Sequence, residues 1–160
     1  MKVLWAPWRM SYILSERKNK NTCIFCPGED RSQDAERLIL FSGERTLVMM
    51  NRFPYNNGHL LVAPVKHVAA LEELGSEEMA DLFLTVRKSI GVLKKQMKPE
   101  GFNVGLNLGH VAGAGIEEHL HFHVVPRWNG DTNYMTILDD VRVIPEHIQE
   151  TYEKLRPDFL

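Results

Sequence analysis

The stretch His119-Leu120-His121-Phe122-His123-Val124-Val125 decides how this chain is read. Polar and apolar residues alternate through it. In a strand, successive side chains point to opposite faces, so His119, His121 and His123 share one face while Leu120, Phe122 and Val124 share the other. The expected strand runs from about His119 to Pro126. Each imidazole needs hydrogen-bond partners, and three protonated neighbours would repel one another, so such a row is costly unless it has a task. Three tasks suit it: metal binding, acid–base chemistry or nucleophilic attack. Ligands at i, i+2 and i+4 on a straight strand span roughly 13 Å, so all three cannot meet at one ion without a bend. The central residue, His121, is flanked on both sides. That suits a nucleophile whose far nitrogen is held by a backbone carbonyl while the near nitrogen presents its lone pair. A nucleophile of ordinary histidine pKa loses activity below roughly pH 6.

Upstream lies Leu108-Gly109-His110-Val111-Ala112-Gly113-Ala114-Gly115. Glycines there let backbone amides approach an anion, so Gly113 and Gly115 are candidates for a phosphate cradle. Before this loop, Phe102 to Asn107 alternates with period two and reads as a strand. Further back, Arg37-Leu38-Ile39-Leu40-Phe41, the turn Ser42-Gly43-Glu44 and Thr46-Leu47-Val48-Met49-Met50 form a hairpin pattern, and His59 to Ala63 supplies another strand that stops at Pro64. Between strands three and four, apolar residues at Met79, Leu82, Phe83, Val86, Ile90, Leu93 and Met97 recur every three or four positions. Ser76 is the expected N-cap of that helix, and Pro99 with Gly101 ends it. A last helix is expected around Pro145 to Leu155. The fold class is therefore α+β: an antiparallel sheet of about five strands covered by a long helix and a C-terminal helix.

With 160 residues, 44% of them hydrophobic, the chain fits a single domain, residues 1–160, in which 1–22 form an N-terminal arm containing the aromatic run Trp5-Ala6-Pro7-Trp8. Nineteen basic residues against 21 acidic ones leave a formal charge of -2, so no broad positive field recruits nucleic acid. The N-terminus lacks the uninterrupted apolar core of a signal peptide, and no run of about 18 apolar residues suggests a membrane span, so a cytoplasmic location is expected. Cys23 and Cys26 are three apart, a spacing for metal or redox chemistry rather than a stabilising disulfide. A structural zinc site needs two more ligands, and His67 and His119 are the candidates. A reduced, metal-free pair and a redox pair are the other readings. In the zinc reading, His119 belongs to the metal and the catalytic set narrows to His121 and His123.

The segment His119 to Val125, continued by Pro126-Arg127, resembles the signature of the histidine-triad family, and Asn51-Arg52-Phe53-Pro54-Tyr55-Asn56-Asn57-Gly58-His59-Leu60-Leu61-Val62-Ala63-Pro64 resembles its other recurrent stretch. The resemblance extends from about Cys23 to Tyr134. Together with Trp5 to Met10, Gly101 to Gly109 and Val125 to Trp128, it is greatest toward the branch that includes bacterial diadenosine tetraphosphate phosphorylases. It implies attack by His121 on the α-phosphate of a nucleotide and a nucleotidyl-histidine intermediate, resolved in that branch by inorganic phosphate to give ADP. It also implies that His123 donates to the α-phosphate oxygens, that Asn51 holds the ribose hydroxyls and, with one residue inserted, that Asn107 stands on the phosphate side. Related proteins with a matching cysteine pair bind zinc, no organic cofactor is implied, and the chains pair as a homodimer. Where many relatives carry glutamine or a hydroxyl residue before the triad, this chain has Gly115-Ile116-Glu117-Glu118, so its leaving-group contacts differ. A hydrolase of diadenosine polyphosphates or adenosine phosphoramidates, and a nucleotide-binding partner protein with vestigial activity, are the alternatives. His59 is expected to order its own loop.

Overall fold

In the computed structural model, residues 23–26, 28, 30–131 and 144–160 are described. The expected N-terminal arm and the end of the family-like stretch lie outside them. Five strands form one antiparallel sheet: β1 (Ile39–Ser42), β2 (Thr46–Met50), β3 (Leu60–Pro64), β4 (Gly101–Leu106) and β5 (Phe122–Arg127), in the order β1-β2-β3-β5-β4. The long helix α1 is Ser76–Met97 and the C-terminal helix α2 is Ile148–Leu155. The α+β expectation, the strand number and both helices are thus observed. No helix among the described residues is long and apolar enough to cross a membrane.

The alternation of β3 and β5 divides the molecule into two apolar layers. Leu60, Val62, Leu120, Phe122 and Val124 point into the larger one, where Leu82, Val86 and Leu93 of α1 and Tyr152 and Leu155 of α2 cover the sheet. Ile39, Leu47, Met49, Leu61 and Ala63 face the other way and are covered by Phe25. The histidines lie on this second face, so the larger core holds the strands while the smaller one backs the site.

The helix departs from a purely apolar count. Phe83 is half exposed, resting edge-on against Phe122 at 5.4 Å, whereas Val92 is buried. The buried stripe includes Thr85 and Ser89, whose hydroxyls are satisfied by Thr46 (3.0 Å) and by the Thr85 carbonyl (2.9 Å). Small polar residues can join a core when they bring their partners with them. Ser76 is the first helical residue rather than the cap; Gly75 takes that position, and its amide donates to Glu78 at 2.7 Å. Lys98 in the left-handed region (φ 48°) ends α1 before Pro99. At the other end of the chain, α2 begins three residues later than Pro145, with His147 as its cap, accepting from the Gln149 amide.

The strand β5 starts at Phe122, not at His119. The Leu120 amide donates to the Val68 carbonyl at 2.7 Å instead of entering the sheet ladder. This diversion supplies the bend that a straight strand lacks, and it takes His119 and Leu120 out of the sheet ladder while side-chain alternation continues through it.

Candidate functional site

Two clusters grow from the bend. In the first, the ring of His119 turns toward the Cys23–Cys26 turn. Its Nδ1 lies 3.2 Å from Cys23 Sγ, 3.9 Å from Cys26 Sγ and 3.2 Å from His67 Nδ1, and Cys26 Sγ lies 3.3 Å from His67 Nδ1. One donor atom from each of the four residues falls within 4.8 Å of all the others. Tetrahedral zinc with nitrogen and sulfur ligands places its donors about 3.3–3.8 Å apart, so this Cys2His2 set fits such an ion in chemistry and size. His119 Nε2–H donates to the Pro64 carbonyl at 2.8 Å, which aims the Nδ1 lone pair at the thiols. Metal-ligating histidines are held in this way by a carbonyl on their other nitrogen. The cysteines form no disulfide. Burial raises the Cys26 thiol, with Cys23 adding to the effect, so without a cation Cys26 is poorly disposed to ionise.

The second cluster holds His121 and His123. His121 Nδ1–H donates to the His119 carbonyl at 2.8 Å, leaving its Nε2 lone pair available. Burial holds its pKa below the ordinary histidine value against the opposing effect of that hydrogen bond. His123 lies with its ring centroid 5.0 Å from that of His121 and is pushed down to about 4, by burial first and by His121 second. Both rings are therefore neutral near pH 7.

A residue that the sequence reading set aside completes this arrangement. His59 is fully buried, and its Nδ1 accepts the Tyr55 amide at 3.1 Å and faces Asn51 Nδ2 at 3.2 Å. With Nδ1 accepting, the neutral ring carries its proton on Nε2, which lies 3.0 Å from His123 Nδ1. His123 accepts there, so its own proton resides on the outer nitrogen, Nε2. Tyr55 lies over the pair, tilted against His59 at 4.8 Å and stacked on His123 at 5.8 Å. His59 contacts its own loop through Tyr55 and Asn51, and it also reaches the triad through His123. The Pro54 to Gly58 pattern gave no hint of the contact with His123, which is 64 residues away in sequence.

Of the remaining candidates, Asn51 joins the second cluster through His59, while its Oδ1 accepts the Phe53 amide at 2.9 Å. Asn107 Nδ2 donates to the Gly113 carbonyl at 3.3 Å, tying the glycine loop to the end of β4. Gly109 and Gly113 occupy left-handed conformations (φ 82° and 88°), which explains glycine at both positions. Within the same loop region His110 pairs with Glu117 at 3.0 Å.

A HIT domain model matches residues 32–130. The chain is 40% identical to an AP-4-A phosphorylase of Mycobacterium tuberculosis, over 98% of this chain and 83% of that one. It is 30% identical to an adenosine 5'-monophosphoramidase of Schizosaccharomyces pombe, over 84% of this chain and 96% of the relative. A crystal structure of a Zn-bound histidine triad family protein from Mycobacterium smegmatis superposes with a TM-score of 0.64 at 25% identity, covering 86% of this chain and 93% of the other.

Proposed function

Because the chain belongs to the histidine-triad family, we propose that it transfers a nucleotidyl group from a dinucleoside polyphosphate by way of His121, with diadenosine tetraphosphate and inorganic phosphate as its substrates. The observation that carries this reading is the pair of opposed tautomers. His121 is held by the His119 carbonyl so as to present a lone pair, and His123 is held by His59 so as to present an N–H.

In this reading His121 Nε2 attacks the α-phosphorus, forming a P–N bond as the P–O bond to the departing ATP breaks. The His123 Nε2–H stabilises the charge that develops on the phosphoryl oxygens, and the low polarity around both rings strengthens that interaction. A phosphate oxygen then attacks the adenylyl-histidine, the P–N bond breaks, ADP leaves and His121 recovers its lone pair. Asn51 stands where the ribose hydroxyls would be held, and Asn107 with Gly113 and Gly115 on the phosphate side. The 40% identity to the AP-4-A phosphorylase supports phosphate as acceptor. The similarity to an adenosine 5'-monophosphoramidase supports hydrolysis as the second reading.

Incubation with diadenosine tetraphosphate, with and without inorganic phosphate, tests the choice. Turnover that requires phosphate and yields ADP and ATP is expected. AMP and ATP formed at the same rate without phosphate would establish the hydrolase instead. The Cys23, Cys26, His67 and His119 set would hold a structural zinc, whose part is to cross-link the chain rather than to touch the substrate. We further assign a homodimer in which the sheet continues from one chain into its partner, a single-domain organisation and a cytoplasmic location.

A further inference from the structure

We propose that Phe25 is a positioning residue for His121, fixing the plane of the nucleophilic ring from the turn that carries the two cysteines. The inference rests on the reading of His121 as nucleophile. Phe25 is fully buried in an otherwise apolar layer, yet its two ring neighbours of note are imidazoles. It stacks on His121 with ring centroids 4.6 Å apart and planes 28° from parallel, and it meets His119 at 5.2 Å and 50°. Core phenylalanines are ordinarily surrounded by aliphatic side chains. This one spends a face on the residue that must attack.

The hydrogen bond from His121 Nδ1 to the His119 carbonyl defines one direction in the ring plane, but carbonyl acceptors tolerate a broad range of approach. Rotation about the terminal torsion of a histidine is likewise soft. A stacked ring opposes the remaining motion, because tipping the imidazole would drive its edge into the phenyl face. Two restraints of different kind thus act on His121, and both originate in the Cys/His cluster. The carbonyl belongs to His119, whose ring lies beside both thiols, and Phe25 sits between Cys23 and Cys26. Closing that cluster around an ion therefore sets the aim of a nucleophile that never touches it. Ile116 packs against the same layer, so the segment leading into the triad rests on it as well.

Phe25→Leu removes the ring while keeping an apolar side chain, and the zinc-loaded protein provides the reference. Zinc per chain and the circular dichroism spectrum should be unchanged, KM should stay within about twofold, and kcat should fall about 10- to 100-fold, as for a small misplacement of a reacting group. Nitrogen-15 spectra at about pH 8, above the ordinary histidine range, should show His121 as one Nδ1–H tautomer in the parent and as a mixture in Phe25→Leu. The same mixture should appear when a chelator strips zinc from the parent. A variant with unaltered kcat and an unaltered His121 spectrum overturns the proposal, as does one whose zinc content falls in step with its activity. If the parent turns over no dinucleotide while the His121 spectrum still responds to Phe25→Leu, the positioning stands and the function assigned above does not.

Discussion

His121 and His123 differ in chemistry by the position of one proton: each is a neutral imidazole, and they differ in which nitrogen bears it. That difference is imposed by partners outside the strand, the His119 carbonyl for one and His59 for the other. His121→Ala removes the atom that forms the covalent bond, so turnover should fall by several orders of magnitude; steady-state assays giving near-parental rates would refute the nucleophile assignment. The pH profile is the second test at this scale. An ordinary histidine would place the acid limb near 6.5, but burial lowers both rings, His123 to about 4. The neutral forms persist below the ordinary histidine range, so the acid limb of kcat/KM should lie below 6.5. A half-maximal point at or above 6.5 would show that the rings are not buried as described. The same shift has a sign for stability: the unfolded chain takes up a proton on this residue below 6.5 while the folded chain resists it until about 4, so falling pH through that window favours unfolding.

At the scale of elements, β3 is the member whose lead-in is most constrained. Gly58, immediately before His59, has φ +74°, and a Cβ there would lie 2.6 Å from Met97 Sδ at the end of α1. Gly58→Ala should therefore cost about 1–3 kcal/mol in urea unfolding through backbone strain, with the contact adding to it, and a loss below about 0.5 kcal/mol would mean that the turn relaxes freely. The same elements show what was legible beforehand. The five strands, the two helices and the shared face of the three histidines follow from local periodicity and are present. The true start of β5 was not legible, since it depends on the Val68 carbonyl capturing the Leu120 amide. Nor were the contacts of His59 and Phe25, since each is made to residues far along the chain. The Cys23, Cys26, His67 and His119 grouping was legible because thiols and imidazoles have few other reasons to converge, whereas the ribose and phosphate roles of Asn51 and Asn107 rest on resemblance alone. Val92 and the Thr85–Ser89 stripe were missed because burial of α1 follows the shape of the sheet beneath it more closely than a hydrophobic count.

At the scale of the molecule, two assignments remain to be measured. Cys26→Ser should lower bound zinc well below one per chain and reduce the melting temperature, because a metal that binds only the folded chain adds its binding free energy to stability. Retention of one tightly held zinc in that variant would exclude the four-residue site. The homodimer should appear in sedimentation equilibrium at twice the mass of one chain. The strand β4, with Val104 42% exposed, lies at the sheet edge in the order observed, so a monomeric mass at micromolar concentration would leave that edge uncovered and refute the pairing.

The bend that removes His119 from the ladder has a consequence for how the protein is made. Cys23 and its partner His119 are separated by 96 positions, and β5 must enter between β3 and β4, both of which leave the ribosome before it. A growing chain therefore carries two bare thiols through most of its synthesis, and neither the four-residue Cys/His cluster nor the carbonyl that holds His121 can assemble until about three quarters of the chain has been made. Once joined through an ion, a loop of that length restricts the unfolded ensemble by about 4.7 kcal/mol, if it acts as a covalent link of similar span would. Products truncated before His119 thus lack both a member of the Cys/His cluster and the carbonyl that accepts from His121.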